Sequence, residues 1–329
     1  MATVKRGVGL VGAGFIGHKR LEAAMPWARE VVIFDENIAR ATTLASKFID
    51  RAVVAATLEN LLERDSLDVV IIATPHVNLA TIAIDAITHG KHVFIEKPGA
   101  ITYTEMVNVI NEANKFHSVV RVGYNHRFHP SLKAAREIVK SAEYGDLLWV
   151  RGQYGHGGRV GYESEWRADR RISGGGELLD QGSHLIDLTR FLFGDVDLVH
   201  AELQTSFWAM SVEDNAFFSL RPRTGGFVWH HASWTEWKNR FSFEICLERA
   251  KLELVGLGGS YGPETMTLYK MSPEMGPPSA EKFEYDFQDL SWSDEFADFI
   301  GAISGEVSYG ATLEDACETL RIISEVYSK

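Results

Sequence analysis

Up to about residue 122 the chain alternates short apolar runs, rich in Val and Ile, with longer stretches whose apolar positions recur every three or four residues. The runs are Val8–Val11, Val31–Phe34, Ala52–Ala55, Val69–Ala73, His92–Ile95 and Val119–Val122. Runs of this length bounded by turn formers read as buried strands. The stretches between them, Ile16–Ala24, Ile38–Phe48, Leu58–Glu63, Leu79–His89 and Tyr103–Phe116, read as helices, with Thr57 and Thr102 placed as N-caps. Strands that alternate with helices pair in parallel through right-handed crossovers, so the pattern predicts an α/β, doubly wound (Rossmann) sheet.

After Tyr124 the texture changes. A second region holds a helix near Leu132–Lys140, a Gly- and Arg-rich stretch from Gly152 to Gly176 and a helix running to Leu192, with strands at Leu147–Tyr154, Val199–Phe207, Asn215–Leu220, Phe227–Trp234, Arg240–Leu247 and Lys251–Val255. Short links such as Arg223–Gly226 favour hairpins, which predicts an α+β domain with a large, mostly antiparallel open sheet. Closing helices are expected near Asp294–Ala302 and Leu313–Tyr327, and Met271–Ala280, with three prolines, reads as a surface loop. A chain of 329 residues fits two such domains, divided as 1–122 and 123–329.

Composition removes several function classes. The formal net charge of −12, with no stripe of Lys and Arg, argues against nucleic acid as a partner. Cys246 and Cys317 form no metal or redox spacing and no disulfide framework. His126/His129 and His230/His231 lack further ligands at suitable spacing, so no metal site is expected. Lys5-Arg6 and the apolar stretch after them superficially imitate a leader, but the stretch is glycine-rich and runs into His18-Lys19-Arg20. No apolar run approaches the roughly 18 residues of a membrane helix. A soluble, cytoplasmic protein is expected, with no membrane partner.

Gly12-x-Gly14-x-x-Gly17 follows the first predicted strand and opens the first predicted helix. In that setting the three glycines serve a tight turn, close approach of the backbone to a pyrophosphate, and close helix–strand packing. Phe15 and Ile16 complete this phosphate-binding turn, where backbone N–H groups and the helix dipole favour an anion. Asp35 ends the second strand, where a carboxylate accepts hydrogen bonds from ribose hydroxyls and repels a 2′-phosphate. NAD is therefore expected over NADP.

Two further segments carry chemistry. Lys97 lies in Glu96-Lys97-Pro98 at the carboxyl end of the fifth strand, the edge of such a sheet that faces the ligand crevice. A cation there stabilises a developing oxyanion. The stretch Gly174 to Asp187 reads as a flexible loop that continues as a helix; at about 100° per residue, Asp180, His184 and Asp187 share one narrow polar stripe on a mainly apolar surface. Burying such a stripe is costly unless polar groups face it, so it belongs at a cleft.

These segments, in this order with Ala73-Thr74-Pro75 and Gly123-Tyr124-Asn125-His126-Arg127-Phe128, resemble the Gfo/Idh/MocA oxidoreductases over essentially the whole chain. The resemblance implies Lys97, Asp180 and His184 as the catalytic group, with Thr74, Pro75, Glu96, Lys97 and Asn125 around the cofactor. It also implies a C-terminal sheet that forms a homodimer or homotetramer. After Thr74-Pro75 the family often has Asn, with a His three residues later; here those positions are His76 and Leu79.

The expected activity is an NAD-dependent dehydrogenase acting on a CH–OH group of a sugar, sugar acid, polyol or nucleotide-sugar, with His184 as base. Tyr124 and Asp187 are candidate substrate contacts. So are Arg159 and Arg167, from a loop holding Arg151, Arg159, Arg167, Arg170 and Arg171 against Glu163, Glu165 and Asp169, where an anionic substrate group could be bound. The competing readings are an NAD-dependent glycosidase on the same fold and a non-catalytic NAD sensor.

Overall fold

The computed structural model describes residues 5–285 and 288–328. Its first unit begins β1 (Arg6–Val11), α1 (Phe15–Ala24), β2 (Ala28–Phe34), α2 (Ile38–Ala45), β3 (Ala52–Val54) and α3 (Leu58–Leu62). It continues β4 (Val69–Ile72), α4 (Leu79–Thr88), β5 (His92–Glu96), α5 (Tyr103–Phe116) and β6 (Val120–Gly123). All pairings are parallel and the strand order is β3-β2-β1-β4-β5-β6. Helices cover both faces of such a sheet, which is why its central strands are apolar throughout: Val8, Leu10, Val32, Ile33 and Val69–Ile72 are all solvent-inaccessible. Thr57 caps α3, and Thr102 forms a full capping box with Glu105 at α5.

The second unit contains α6 (Pro130–Ser141), β7 (Leu147–Gly155), α7 (Arg170–Ser173), α8 (Ser183–Phe193) and β8 (Val196–Gln204). These are followed by β9 (Asn215–Pro222), β10 (Phe227–Ser233), β11 (Arg240–Leu247), β12 (Ala250–Val255), β13 (Thr265–Lys270) and β14 (Ser279–Glu284). The eight strands lie in the order β14-β13-β12-β11-β7-β10-β9-β8, antiparallel except where β10 pairs with β7. The inner face of β10 supports α8 directly, with His230 Nε2 2.7 Å from Thr189 Oγ1. Burial holds the His230 imidazole down at about 3, a neutral hydrogen-bonding core residue.

The expected contiguous split at residue 122 is corrected by the closing segment. Trp292–Leu320, which holds most of α9 (Ser291–Ile303) and the start of α10 (Leu313–Tyr327), groups with the chain up to Asn125, while His126–Ser291 groups with the chain from Arg321 on. The cause is aromatic packing: Phe296 and Phe299 lie 6.0 and 5.4 Å from Phe94 of β5, ring centre to ring centre, and all three are fully buried. Each such ring contributes about 1.5–3 kcal/mol by burial. Glu295 on the same helix reaches the buried Arg20 of α1.

Three local differences have equally plain causes. The strand expected at Val199–Phe207 runs three residues earlier, because Asp214 accepts the backbone N–H groups of Ser206, Phe207 and Trp208 and so turns that segment away. The proline-containing loop gives way at Ser279 to β14, an edge strand whose Lys282 and Glu284 pair in solvent. Leu178–Gly182 is a π-helical turn, not part of a regular α-helix.

Candidate active site

In the first unit the strand order reverses between the paired neighbours β1 and β4, the switch point at which a doubly wound sheet opens its ligand crevice. Gly12 turns there with φ +96°, and a side chain would run into Ala73 O at 2.5 Å. A Cβ at Gly17 would lie 1.9 Å from Gly12 O, so α1 can pack this closely only as glycine. Gly14 differs: nothing lies within 4 Å of the place its Cβ would occupy. That open space above a helix N-terminus, beside the exposed Phe15, is a cradle suited to a pyrophosphate. Ile16 is half-buried behind it.

Asp35 faces the same turn, its Oδ2 accepting from Ala13 N–H at 2.7 Å and its Oδ1 from Asn37 N–H at 2.8 Å. The carboxylate is thereby fixed with accepting capacity left for hydroxyl groups. Half-buried Thr74 and Pro75 follow β4, and His76, at the position where the resemblance leads one to expect Asn, is buried. Lys97 stands half-buried beyond β5, joined to Pro98 by a cis peptide bond. Glu96, expected to touch the cofactor, has its Oε1 on the Arg20 guanidinium, whose face lies 4.2 Å from the Trp292 ring. A buried guanidinium requires such partners. Asn125 ends this unit, buried.

In the second unit the polar stripe is buried: Asp180, His184 and Asp187 are 8, 4 and 0 % exposed. Glu213 anchors its start, accepting from Gly176 N–H and Leu178 N–H at 3.1 Å each and from Tyr327 Oη–H at 2.7 Å. Burial raises the Glu213 carboxyl against those hydrogen bonds. A Cβ at Gly176 would meet Glu213 O at 2.1 Å, which explains one member of the triple glycine. The π turn then carries Asp180 and Gln181, and α8 carries His184 and Asp187. Single π turns recur at functional sites, where they re-aim a side chain.

Asp180 Oδ2 takes Arg167 Nε–H at 3.3 Å. Asp187 receives Arg127 Nε–H at 2.9 Å and Nη2–H at 2.5 Å, a buried fork-to-carboxylate pair. Its carboxylate thus serves a structural pair within this unit. Tyr154 at the end of β7 lies edge-on to His184 at 5.8 Å, and its neighbour Tyr261, 5.3 Å away, accepts from Gln181 Nε2–H at 3.5 Å. Burial pushes the Tyr154 phenol well above its usual range and Tyr261 up to about 12, so both stay protonated and can donate.

The chain matches the model described as "Oxidoreductase family, NAD-binding Rossmann fold" over residues 6–124 and that described as "GFO/IDH/MocA C-terminal domain" over residues 132–253. It belongs to the Gfo/Idh/MocA family. It is 33% identical over 214 residues to levoglucosan dehydrogenase of Pseudarthrobacter phenanthrenivorans, a match that covers 60% of this chain and 54% of that protein. The chain thus spans about half the length of that relative. It is 25% identical over 320 residues to inositol 2-dehydrogenase 1 of Paenarthrobacter aurescens, covering 94% of this chain and 90% of that one. A solved levoglucosan dehydrogenase complex with NADH and levoglucosan shares the fold, with a TM-score of 0.86 at 23% identity over 98% of this chain and 96% of that one.

Within this Gfo/Idh/MocA chain the Arg-rich loop is largely neutralised internally. Arg159 donates to Glu165 at 2.7 Å, Arg171 to Asp169 at 2.7 Å and Arg151 to Glu244 at 2.6 Å, while Arg170 lies over the Tyr327 ring. Among the described residues Arg167 is the one of the five that reaches a carboxylate of the stripe, that of Asp180. Tyr124 is fully buried at the end of the first unit. Sequence reasoning missed Tyr154, Tyr261 and the placing of His126 against His184. Tyr154 had a signal, as an inward position at the end of an alternating strand; Tyr261 sits in a short 3₁₀ turn with none. Among the described residues no helix is long and apolar enough to cross a membrane.

Proposed function

We propose that this Gfo/Idh/MocA chain is an NAD-dependent dehydrogenase that oxidises a secondary alcohol of an uncharged sugar or polyol. The observation that carries the reading is the buried acid–imidazole stripe of Asp180 and His184, flanked by two protonated tyrosines, in a chain whose first unit holds an open Gly14 cradle. Gly12, Gly14, Phe15, Ile16, Gly17, Asp35, Thr74 and Pro75 are the residues for the cofactor, with Glu96 supporting them through Arg20 and Asn125 completing the set. Bound NAD supplies the acceptor for the hydride that leaves the substrate carbon.

His184 accepts the hydroxyl proton as the C–H bond gives up its electron pair, so that alcohol becomes ketone. Lys97 stabilises the oxyanion that develops, and Asp180 with Arg167 holds a neighbouring hydroxyl. The internal pairing of Arg151, Arg159 and Arg171 supports an uncharged substrate over a sugar acid or nucleotide-sugar. The fixed Asp35 carboxylate supports NAD over NADP, since a 2′-phosphate there meets like charge. The exposed Trp229 and Phe227 on β10 support the sheet as the surface on which subunits associate.

The test is NADH formation with levoglucosan, myo-inositol, gluconate and a UDP-sugar, each repeated with NADP. Turnover of a neutral compound, lost by about 10²-fold or more in Lys97→Ala, is expected. Full turnover in Lys97→Ala overturns the assignment, and release of sugar without net NADH replaces it with the glycosidase reading.

A further inference from the structure

In the sequence His126 stands in a motif and beside His129 without the spacing of a metal site, yet the fold gives it a specific neighbour. Its ring centre stands 3.9 Å from that of His184, with the planes at 48°. Two imidazoles joined in line by an N–H···N bond stand further apart than this, because each ring adds its own radius to the bond. The two rings are therefore in tilted van der Waals contact, not joined edge to edge. Both rings are buried, 5 and 4 % exposed.

Other groups hold His126 in turn. Tyr154 closes edge-on at 5.0 Å, and the His129 ring lies at 5.6 Å. His129 Nδ1 is 2.9 Å from Glu264 Oε2, and Glu264 Oε1 accepts Ser131 N–H at 2.7 Å. The row His184, His126, His129, Glu264 is thus tied to the backbone at the start of α6. An imidazole turns about a broad, two-fold torsion, so its neighbours set the plane of the ring. A base works only when its nitrogen lone pair points at the proton it takes.

We propose that His126 is a positioning residue for the reaction: its ring, packed at a tilt against His184, fixes the plane of the His184 imidazole and leaves the working edge of that ring clear. The proposal rests on the reading of His184 as the base. It assigns His126 no contact with substrate. It accounts for a buried imidazole that the chemistry itself does not use.

The experiment compares His126→Ala, His126→Phe and His184→Asn in the full chain, with NAD and levoglucosan or myo-inositol as probes. Loss of the ring in His126→Ala is expected to lower kcat by about 10- to 100-fold while KM stays within about threefold, the signature of misaligned chemistry. Phe restores a flat ring of similar width, so His126→Phe should recover kcat to within about threefold. An unchanged kcat in His126→Ala, a rise confined to KM, or a His126→Phe as impaired as His126→Ala overturns the proposal.

A second readout needs no turnover. In the resting protein the His184 ring protons should carry a ring-current shift that His126→Ala removes and His126→Phe keeps; unmoved His184 resonances in His126→Ala also overturn it. His184→Asn with full activity instead defeats the underlying assignment of the base, leaving the two failures distinguishable.

Discussion

Gly14→Ala separates the cofactor site from the fold. The residue is the N-cap of α1, with φ −74° and ψ −171°, a conformation open to any amino acid, and its missing side chain faces empty space. Two small effects oppose each other in the unliganded protein. Restricting the unfolded chain stabilises by about 0.4–1 kcal/mol, and replacing glycine by alanine at an N-cap costs roughly 0.5–1 kcal/mol. The melting temperature should therefore move by no more than about 2–4 °C.

Binding should respond quite differently. The added methyl group stands where a pyrophosphate must approach the backbone N–H groups, and each charge-assisted hydrogen bond lost costs about 1.5–3 kcal/mol. One such loss weakens NAD about 10- to 150-fold. Gly17→Ala is the internal contrast: its Cβ would stand 1.9 Å from Gly12 O, so α1 must move, at about 3 kcal/mol or more. Calorimetric titration with NAD and thermal denaturation of the three proteins decide the matter. Parental NAD affinity in Gly14→Ala, or a melting temperature lowered as far as in Gly17→Ala, refutes the reasoning.

Asp35→Ala should narrow the ratio of NAD to NADP affinity by about tenfold, measured by the same titration; an unchanged ratio removes Asp35 from cofactor choice. Arg127→Met leaves the fully buried Asp187 carboxylate without its bidentate partner and should cost about 3–5 kcal/mol in denaturant unfolding. Arg127→Met with Asp187→Leu should recover part of that loss. His230 is held neutral by burial down to about pH 3, against an ordinary 6.5. Its contribution is therefore complete above about pH 6.5 and declines as the pH falls from there toward 3, because only the unfolded chain takes up the proton in that window. Between pH 7 and pH 5 the loss is about 2 kcal/mol; His230→Gln, measured by urea unfolding at both pH values, should lack that component.

The first unit could be read almost residue by residue because its signals are local. A strand buried on both faces is apolar at every position, as in Val69–Ile72, and a glycine turn opening a helix is confined to six residues. The Asp35 strand end and the caps Thr57 and Thr102 belong to the same class, since each acts on backbone within a few positions or along one strand. By contrast β14 left no trace in the pattern. Five of its six residues are exposed, and what makes it a strand is the ladder offered by β13, not its own composition.

The candidate site divides along the same line. Lys97, Asp180 and His184 stand out in the sequence as residue types at motif positions, but the environment of each came from chain segments far away. A regular helical period cannot anticipate the π turn at Leu178–Gly182, whose entry is set by Glu213, 35 residues beyond Leu178. Five arginines in one loop look like an anion site until Glu244, 93 residues from Arg151, and the nearby Asp169 and Glu165 are seen to hold three of them. The amphipathic pattern of α9 announced an apolar face without naming Phe94 as the surface that receives it. Local hydrogen bonding and side-chain periodicity were thus determined by the sequence alone, whereas partners distant in the chain were chosen by packing. Only the tertiary structure could decide that Asp187 serves Arg127 and that the ring of His184 packs against that of His126.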